Sequence, residues 1–127
     1  MHENLLFEYA VIRIMPKVER EEFVNVGVIL YAHKKKHLVM RYHLDHARLL
    51  ALQSEMDISE VEEHIRAFER ICQGAEGSGP IGKLDPAARF RWLTATRSTI
   101  VQTSKVHPGL CAETGKALDR LYDQYVG

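Results

Sequence analysis

The chain has 127 residues, 46% hydrophobic and 27% charged, the balance of one ordinary globular domain able to bury a core without staples. Seventeen basic residues meet seventeen acidic ones, which excludes a global field drawing the chain to nucleic acid or to an anionic membrane. Its two cysteines, Cys72 and Cys111, lie far apart with no CxxC, which excludes a disulfide framework and a zinc knuckle.

The opening Met-His-Glu-Asn lacks the positive start and apolar core of a signal peptide, and the apolar run from Val24 to Tyr31 is too short to span a bilayer. A cytoplasmic protein is the expectation. Leu6 to Met15 reads as a strand, with Ala10, Ile12 and Ile14 on one face and Tyr9, Val11, Arg13 and Met15 on the other. The polar stretch from Pro16 to Glu21 is a hairpin connection into a second strand, Phe23 to Tyr31. The second strand is the most informative segment, because Asn25 and Gly27 are set into it. At period two, Val24, Val26, Val28 and Leu30 form an aliphatic face, while Phe23, Asn25, Gly27, Ile29 and Tyr31 point the other way. A buried amide must find partners, and the missing side chain beside it leaves room for something polar, from the protein or from a ligand.

His33-Lys-Lys-Lys-His37 is a charged turn, and Leu38 to His43 a third strand. Matching aliphatic faces across the meander sets Ile14 opposite Val24 and Ile12 opposite Val26, and so Arg13 opposite Asn25. Setting Leu30 opposite Leu38 and Val28 opposite Met40 puts Arg41 opposite Gly27 and His43 opposite Asn25. One face is then expected to collect Arg13, Asn25, Gly27, Arg41 and His43.

Asp45 can cap a short helix through Gln53 that buries Leu49, Leu50 and Leu52. Asp57-Ile-Ser-Glu60 has the form of a capping box opening a longer helix, with Ile58, Val61, Ile65, Phe68 and Ile71 at three- and four-residue steps and Gly74 as its stop. The glycine-rich segment 74–84 reads as a flexible loop within the single domain 1–127. Asp85-Pro86 starts another helix carrying Phe90 and Leu93 inward and ending near Thr96. Thr99 to Thr103 is a fourth strand, His107-Pro-Gly a turn, and Ala112 to Val126 a closing helix buried through Leu118, Leu121, Tyr122 and Tyr125. The expected fold is α+β: an antiparallel sheet of about four strands, the N-terminal three-stranded meander plus one late strand, covered on one face by three to four helices.

Gly77-Ser-Gly-Pro-Ile-Gly82-Lys83-Leu84 comes within one residue of a P-loop, but Leu84 stands where magnesium needs a hydroxyl, and Pro80 removes a backbone donor. It is a linker. His43, Asp45 and His46 offer three metal-type donors with no fourth, and Asp45 already serves as a cap, so no metal is expected. His107 and Cys111 have the spacing of a thiolate–imidazole pair with no third group to orient them, so no catalytic residue is assigned. A local basic excess is more informative: Lys83, Arg89, Arg91, Arg97 and Lys105 face a single acid, Asp85, in the span from Lys83 to Cys111. Within it Arg89, Arg91, Arg97, Ser98, Thr99, Gln102 and His107, with Trp92 among them, have the guanidinium and hydroxyl chemistry that phosphate or carboxylate recognition requires. Two readings stay open: an arginine that satisfies the Asn25 region from within, or an anion-ligand site.

Four segments, Glu22-Phe-Val-Asn25-Val-Gly27-Val, Arg89-Phe-Arg-Trp-Leu93, Arg97-Ser-Thr99 and His107-Pro-Gly-Leu-Cys111, resemble the bacterial family called domain of unknown function 3037, from about Tyr9 to Tyr125. The resemblance implies a HipA-like kinase as partner and carries no catalytic assignment and no cofactor. The expected function is a non-enzymatic accessory or protein-interaction module; a homo-oligomer is compatible with it. The alternative is a small enzyme or ligand-binding module for a phosphorylated or nucleotide-like anion. It would use Arg89, Arg97 and Arg41 as clamps and His43 or His107 as acid or base.

Overall fold

A computed structural model describes residues 4–16, 20–95 and 99–127. Three long strands form the meander: β1 (Leu5–Ile14), β2 (Val24–Ala32) and β3 (His37–Tyr42). Helices α1 (His46–Leu52), α2 (Ile58–Gln73) and α3 (Pro86–Leu93) follow, then β4 (Val101–Thr103), β5 (His107–Cys111) and α4 (Thr114–Tyr125). All pairing is antiparallel: β3 pairs β2, β2 pairs β1, and the far side of β1 takes β4 along Ile12–Ile14 and β5 along Leu5–Tyr9.

The antiparallel α+β sheet is as expected, the meander and the late strand β4 being joined by one further strand, β5. His107-Pro-Gly is strand, not turn, because Phe7 lies over it: a Cβ on Gly109 would sit 2.3 Å from the Phe7 ring, so the position needs glycine for close approach. Between β4 and β5 the edge is interrupted at Ser104, whose N–H donates to the Val11 carbonyl (2.8 Å) and whose Oγ accepts from the Val11 N–H (2.8 Å). One side chain thus replaces a missing ladder bond.

The sheet is covered on both faces, not one. On the first face Ile12, Ile29 and Tyr31 pack with Leu49 of α1, Val61, Ile65 and Phe68 of α2, and Phe90 and Leu93 of α3. On the other, Phe7, Val28 and Leu30 pack with Ala117, Leu118, Leu121 and Tyr122 of α4. Each such fully buried side chain contributes roughly 1.5–3 kcal/mol of burial, so neither face is dispensable. The helix starts follow their caps: Asp45, Asp57 and Asp85 each accept from the backbone N–H three residues on, and Gly74 closes α2 at φ 62°. In α1 only Leu49 is buried; Leu50 is 40% exposed.

The expected register holds at Arg13↔Asn25 and Ile14↔Val24, then slips, since Ile12 pairs with Gly27 and Val26 is left as a bulge. The bulge turns β2 over, so Val24 and Val26 share a core with Ile29, while Asn25 stays on the face of Val28 and Leu30. The β2–β3 register also differs by one residue from expectation: Gly27 pairs with Tyr42 and Val28 with Arg41. Gly27 makes no room for a ligand. A Cβ there would lie 2.5 Å from the Arg41 carbonyl oxygen and 2.7 Å from the Tyr42 Cβ, so it serves the close approach of β3.

Candidate functional site

The polar groups that do come together lie on the α4 face of the sheet, at the C-terminal end of that helix. The pairings Arg13↔Asn25 and Arg13↔Gln102 set three polar residues abreast across β2, β1 and β4, and Tyr9↔His107 adds two more further along β1. The last turn of α4 descends onto this row. Asn25 Nδ2 donates to the Tyr125 carbonyl (3.3 Å), and the hydroxyls of Tyr9 and Tyr125 meet at 3.1 Å. From α1, Arg48 Nη1 donates to the Val126 carbonyl (3.3 Å). The helix end, which has orphan carbonyls and a negative dipole, is therefore closed by an amide and a cation from two other elements.

Asn25 has thus found its partner inside the protein. Its amide orientation follows: turning it over would set oxygen against the Tyr125 carbonyl oxygen. Asn25 Oδ1 is then left buried without a hydrogen-bond partner among the described residues, as is Nε of the neighbouring Arg13. The Arg13 guanidinium lies 4.1 Å over the Phe23 ring, and burial lowers its pKa. The Tyr9 hydroxyl is pushed up to about 12, first by its bond to Tyr125 and then by burial. Tyr9 also faces the His107 ring at 5.5 Å.

The remaining expected residues lie elsewhere. Arg41 shares the α4 face, but its guanidinium is bound to Asp119 (2.9 Å) over the Tyr122 ring (4.0 Å). His43 donates its backbone N–H to the Val26 carbonyl, where Asn25 was expected opposite it, and lines an open cleft of about 590 Å³ between β3 and α2. Arg89 closes the end of α2, with Nη1 donating to the carbonyls of Cys72 (3.0 Å) and Ile71 (3.4 Å). Thr99 gives its carbonyl to Gln102 Nε2 (2.7 Å). Arg97 and Ser98 lie outside the described residues. His46 faces Glu62 (3.4 Å) and Asp45 caps α1; among the described residues no three metal-type donors converge. Cys72 is buried, which pushes its thiol up to about 12, and the thiol of Cys111 is raised by burial as well. Neither is an activated nucleophile.

Sequence reasoning missed Tyr9, Arg48 and Tyr125 as members of the polar row, because they reach it from positions far away along the chain. It also missed a surface. Leu6 and Leu110 pair directly across β1 and β5 and are 60% and 61% exposed. They share a face with Glu8 and Pro108, next to a groove of about 190 Å³ lined by Glu8, Tyr31, His33, Phe90, Arg91 and Val106. The signal was Leu6 itself, in phase with Ala10 and Ile12 yet one turn of the pleat beyond the helices that cover them.

A two-faced antiparallel α+β domain, with its polar row closed by a helix end and an aliphatic pair left bare, is the class of protein defined here. The chain belongs to the family described as "Protein of unknown function (DUF3037)", which matches residues 9–126. No curated protein and no solved structure matches it. No helix among the described residues is long and apolar enough to cross a membrane.

Proposed function

We propose that the chain is a non-enzymatic protein-interaction module that docks a partner on the Leu6–Leu110 surface. The observation that supports this is the cross-strand leucine pair itself: two aliphatic side chains, directly opposed, each about three-fifths exposed, beside a groove with Glu8 and Arg91 at its rim. Apolar anchors rimmed by charge are the anatomy of a protein interface. The arginines expected to clamp an anion weigh the same way, since Arg41 is engaged by Asp119 and Arg89 by a helix end. A HipA-like kinase is the partner proposed from the family resemblance. Co-expression tests it: the wild-type chain co-purifies with the kinase and a Leu6→Asp/Leu110→Asp variant does not. Equal recovery of kinase with both chains rejects the surface, and recovery with neither rejects the partner.

A second reading, recognition of a phosphorylated or nucleotide-like anion, is favoured by one observation, the buried Arg13 Nε, which has no partner among the described residues. Inorganic phosphate or a nucleotide would then raise the melting temperature of the wild-type chain but not of Arg13→Gln. Equal shifts, or none, remove it.

A further inference from the structure

The two edges of the sheet are built differently. At β5, Pro108 offers no N–H, and the edge is interrupted where Ser104 separates β5 from β4; both features discourage another strand from adding there. At β3 there is no proline and no bulge, and its pairing with β2 runs unbroken from Gly27↔Tyr42 to Ala32↔His37. The His43 N–H points to the Val26 carbonyl (2.8 Å), so by alternation His37, Val39 and Arg41 turn their backbone groups to β2. Leu38, Met40 and Tyr42 turn theirs outward, where among the described residues no strand is paired with them. The cleft of about 590 Å³ flanks this edge on the α2 side.

We propose that β3 pairs antiparallel with β3 of a second copy of this chain, about a two-fold axis at Met40. The outward groups of Leu38, Met40 and Tyr42 must exchange bonds with the same set, which leaves few registers. The axis at Met40 sets Leu38 against Tyr42 and Val39 against Arg41, and uses five of the strand's six residues. Moving it one residue toward Arg41 opposes two arginines. Moving it toward Val39 sets His37 against Arg41 and carries Lys36 onto Tyr42. Antiparallel pairing also brings the turn that holds Lys34–Lys36, at the start of each β3, toward the end of the second copy's β3, which Asp45 follows. The only arginine in the strand is already neutralised by Asp119. The two five-stranded sheets then become one continuous sheet, and the Leu6–Leu110 surfaces, next to the opposite edge, stay free on both copies.

Sedimentation or light scattering over a concentration series tests the pairing. The expected mass is twice that of the chain, and Met40→Lys, which sets two ammonium groups face to face only if the strands meet, brings it to one. Met40→Cys then crosslinks to a covalent dimer under mild oxidation, because the paired Cα atoms lie within disulfide reach, while Leu38→Cys, opposite Tyr42, does not. The crosslink pattern stays decisive if Met40→Lys fails to fold. A monomer at every concentration overturns the proposal. So does a dimer unmoved by Met40→Lys, or one whose Leu38→Cys variant crosslinks as well as Met40→Cys. Because the surfaces are separate, Leu6→Asp/Leu110→Asp leaves the mass doubled, so failure here is distinct from failure of the partner-docking reading.

Discussion

Asn25 stands in an aliphatic strand because a helix ends above it. The Tyr125 carbonyl has no partner further along α4, and the amide of Asn25 reaches it from β2 at 3.3 Å. Replacing Asn25 with Ala leaves that carbonyl without its side-chain donor and is expected to lower stability by about 1–3 kcal/mol. Asn25→Asp should cost more than Ala, since a carboxylate oxygen would face the Tyr125 carbonyl oxygen while the two arginines at this helix end are already engaged, Arg13 over Phe23 and Arg48 at the Val126 carbonyl. Denaturant midpoints of the two variants check the order. If Asp is the milder change, Arg13 holds the position and the helix-end argument is wrong. The arrangement also separates Asn25 from Gly27, which the sequence presents as one motif. They lie on opposite faces of the sheet, and Gly27 answers to the closeness of β3.

Among the elements, the gap between β4 and β5 along β1 is closed in part by a single hydroxyl. Ser104 is 8% exposed, and its Oγ is the partner of the Val11 N–H where β4 and β5 part. Ser104→Ala should leave that buried N–H unpaired, lowering stability by about 1–3 kcal/mol and speeding exchange of the Val11 amide above that of the neighbouring β1 amides. Unchanged protection at Val11 would mean the backbone closes the gap unaided. The elements differ in how far the sequence shows them. Capped helices were legible because Asp45, Asp57, Asp85 and Gly74 are local signals. The hairpin was legible at Arg13↔Asn25, where a polar pair marks the face. The Val26 bulge and the β3 register were not, because Val24, Val26, Val28 and then Leu38, Val39 and Met40 are apolar on both faces. A sheet buried on both sides exposes nothing when a strand slips by one residue, so the pattern carries no penalty for the wrong register. β5 was hidden for another reason: Pro108 and Gly109 read locally as a turn, and only Phe7, a hundred residues earlier, makes them strand. The candidate site was half legible on the same grounds, with Arg13 and Asn25 placed together and Tyr9, Arg48 and Tyr125 supplied by long-range packing.

For the molecule as a whole, the sheet is the only layer shared by two separate cores. One core joins α1, α2 and α3 to the first face, the other joins α4 to the second, and among the described residues no helix belongs to both. If the sheet transmits stability between them, damage on one face must be felt on the other. Leu121 is 5% exposed in the α4 core, and Leu121→Ala removes about 2–5 kcal/mol by lost burial and the cavity left behind. Trp92, the only tryptophan, is 37% exposed on α3, the helix whose Phe90 and Leu93 pack on the other face, so its fluorescence follows the loss of that helix. The transition seen by Trp92 fluorescence should therefore move with the far-ultraviolet circular dichroism transition, by the same free energy, as one cooperative unit. A Trp92 midpoint that stays in place while the dichroism midpoint falls would make α4 a separately melting layer. In that case β1 and β2, which contribute side chains to both cores, would have to hold their pairing after one core is lost, and the Arg13–Asn25 row under the helix end would open before the domain unfolds. Coincidence of the two probes is the expected result, because Ile12 and Val11, or Ile29 and Val28, are adjacent residues of one strand buried in opposite directions, and neither can be released without the other's backbone.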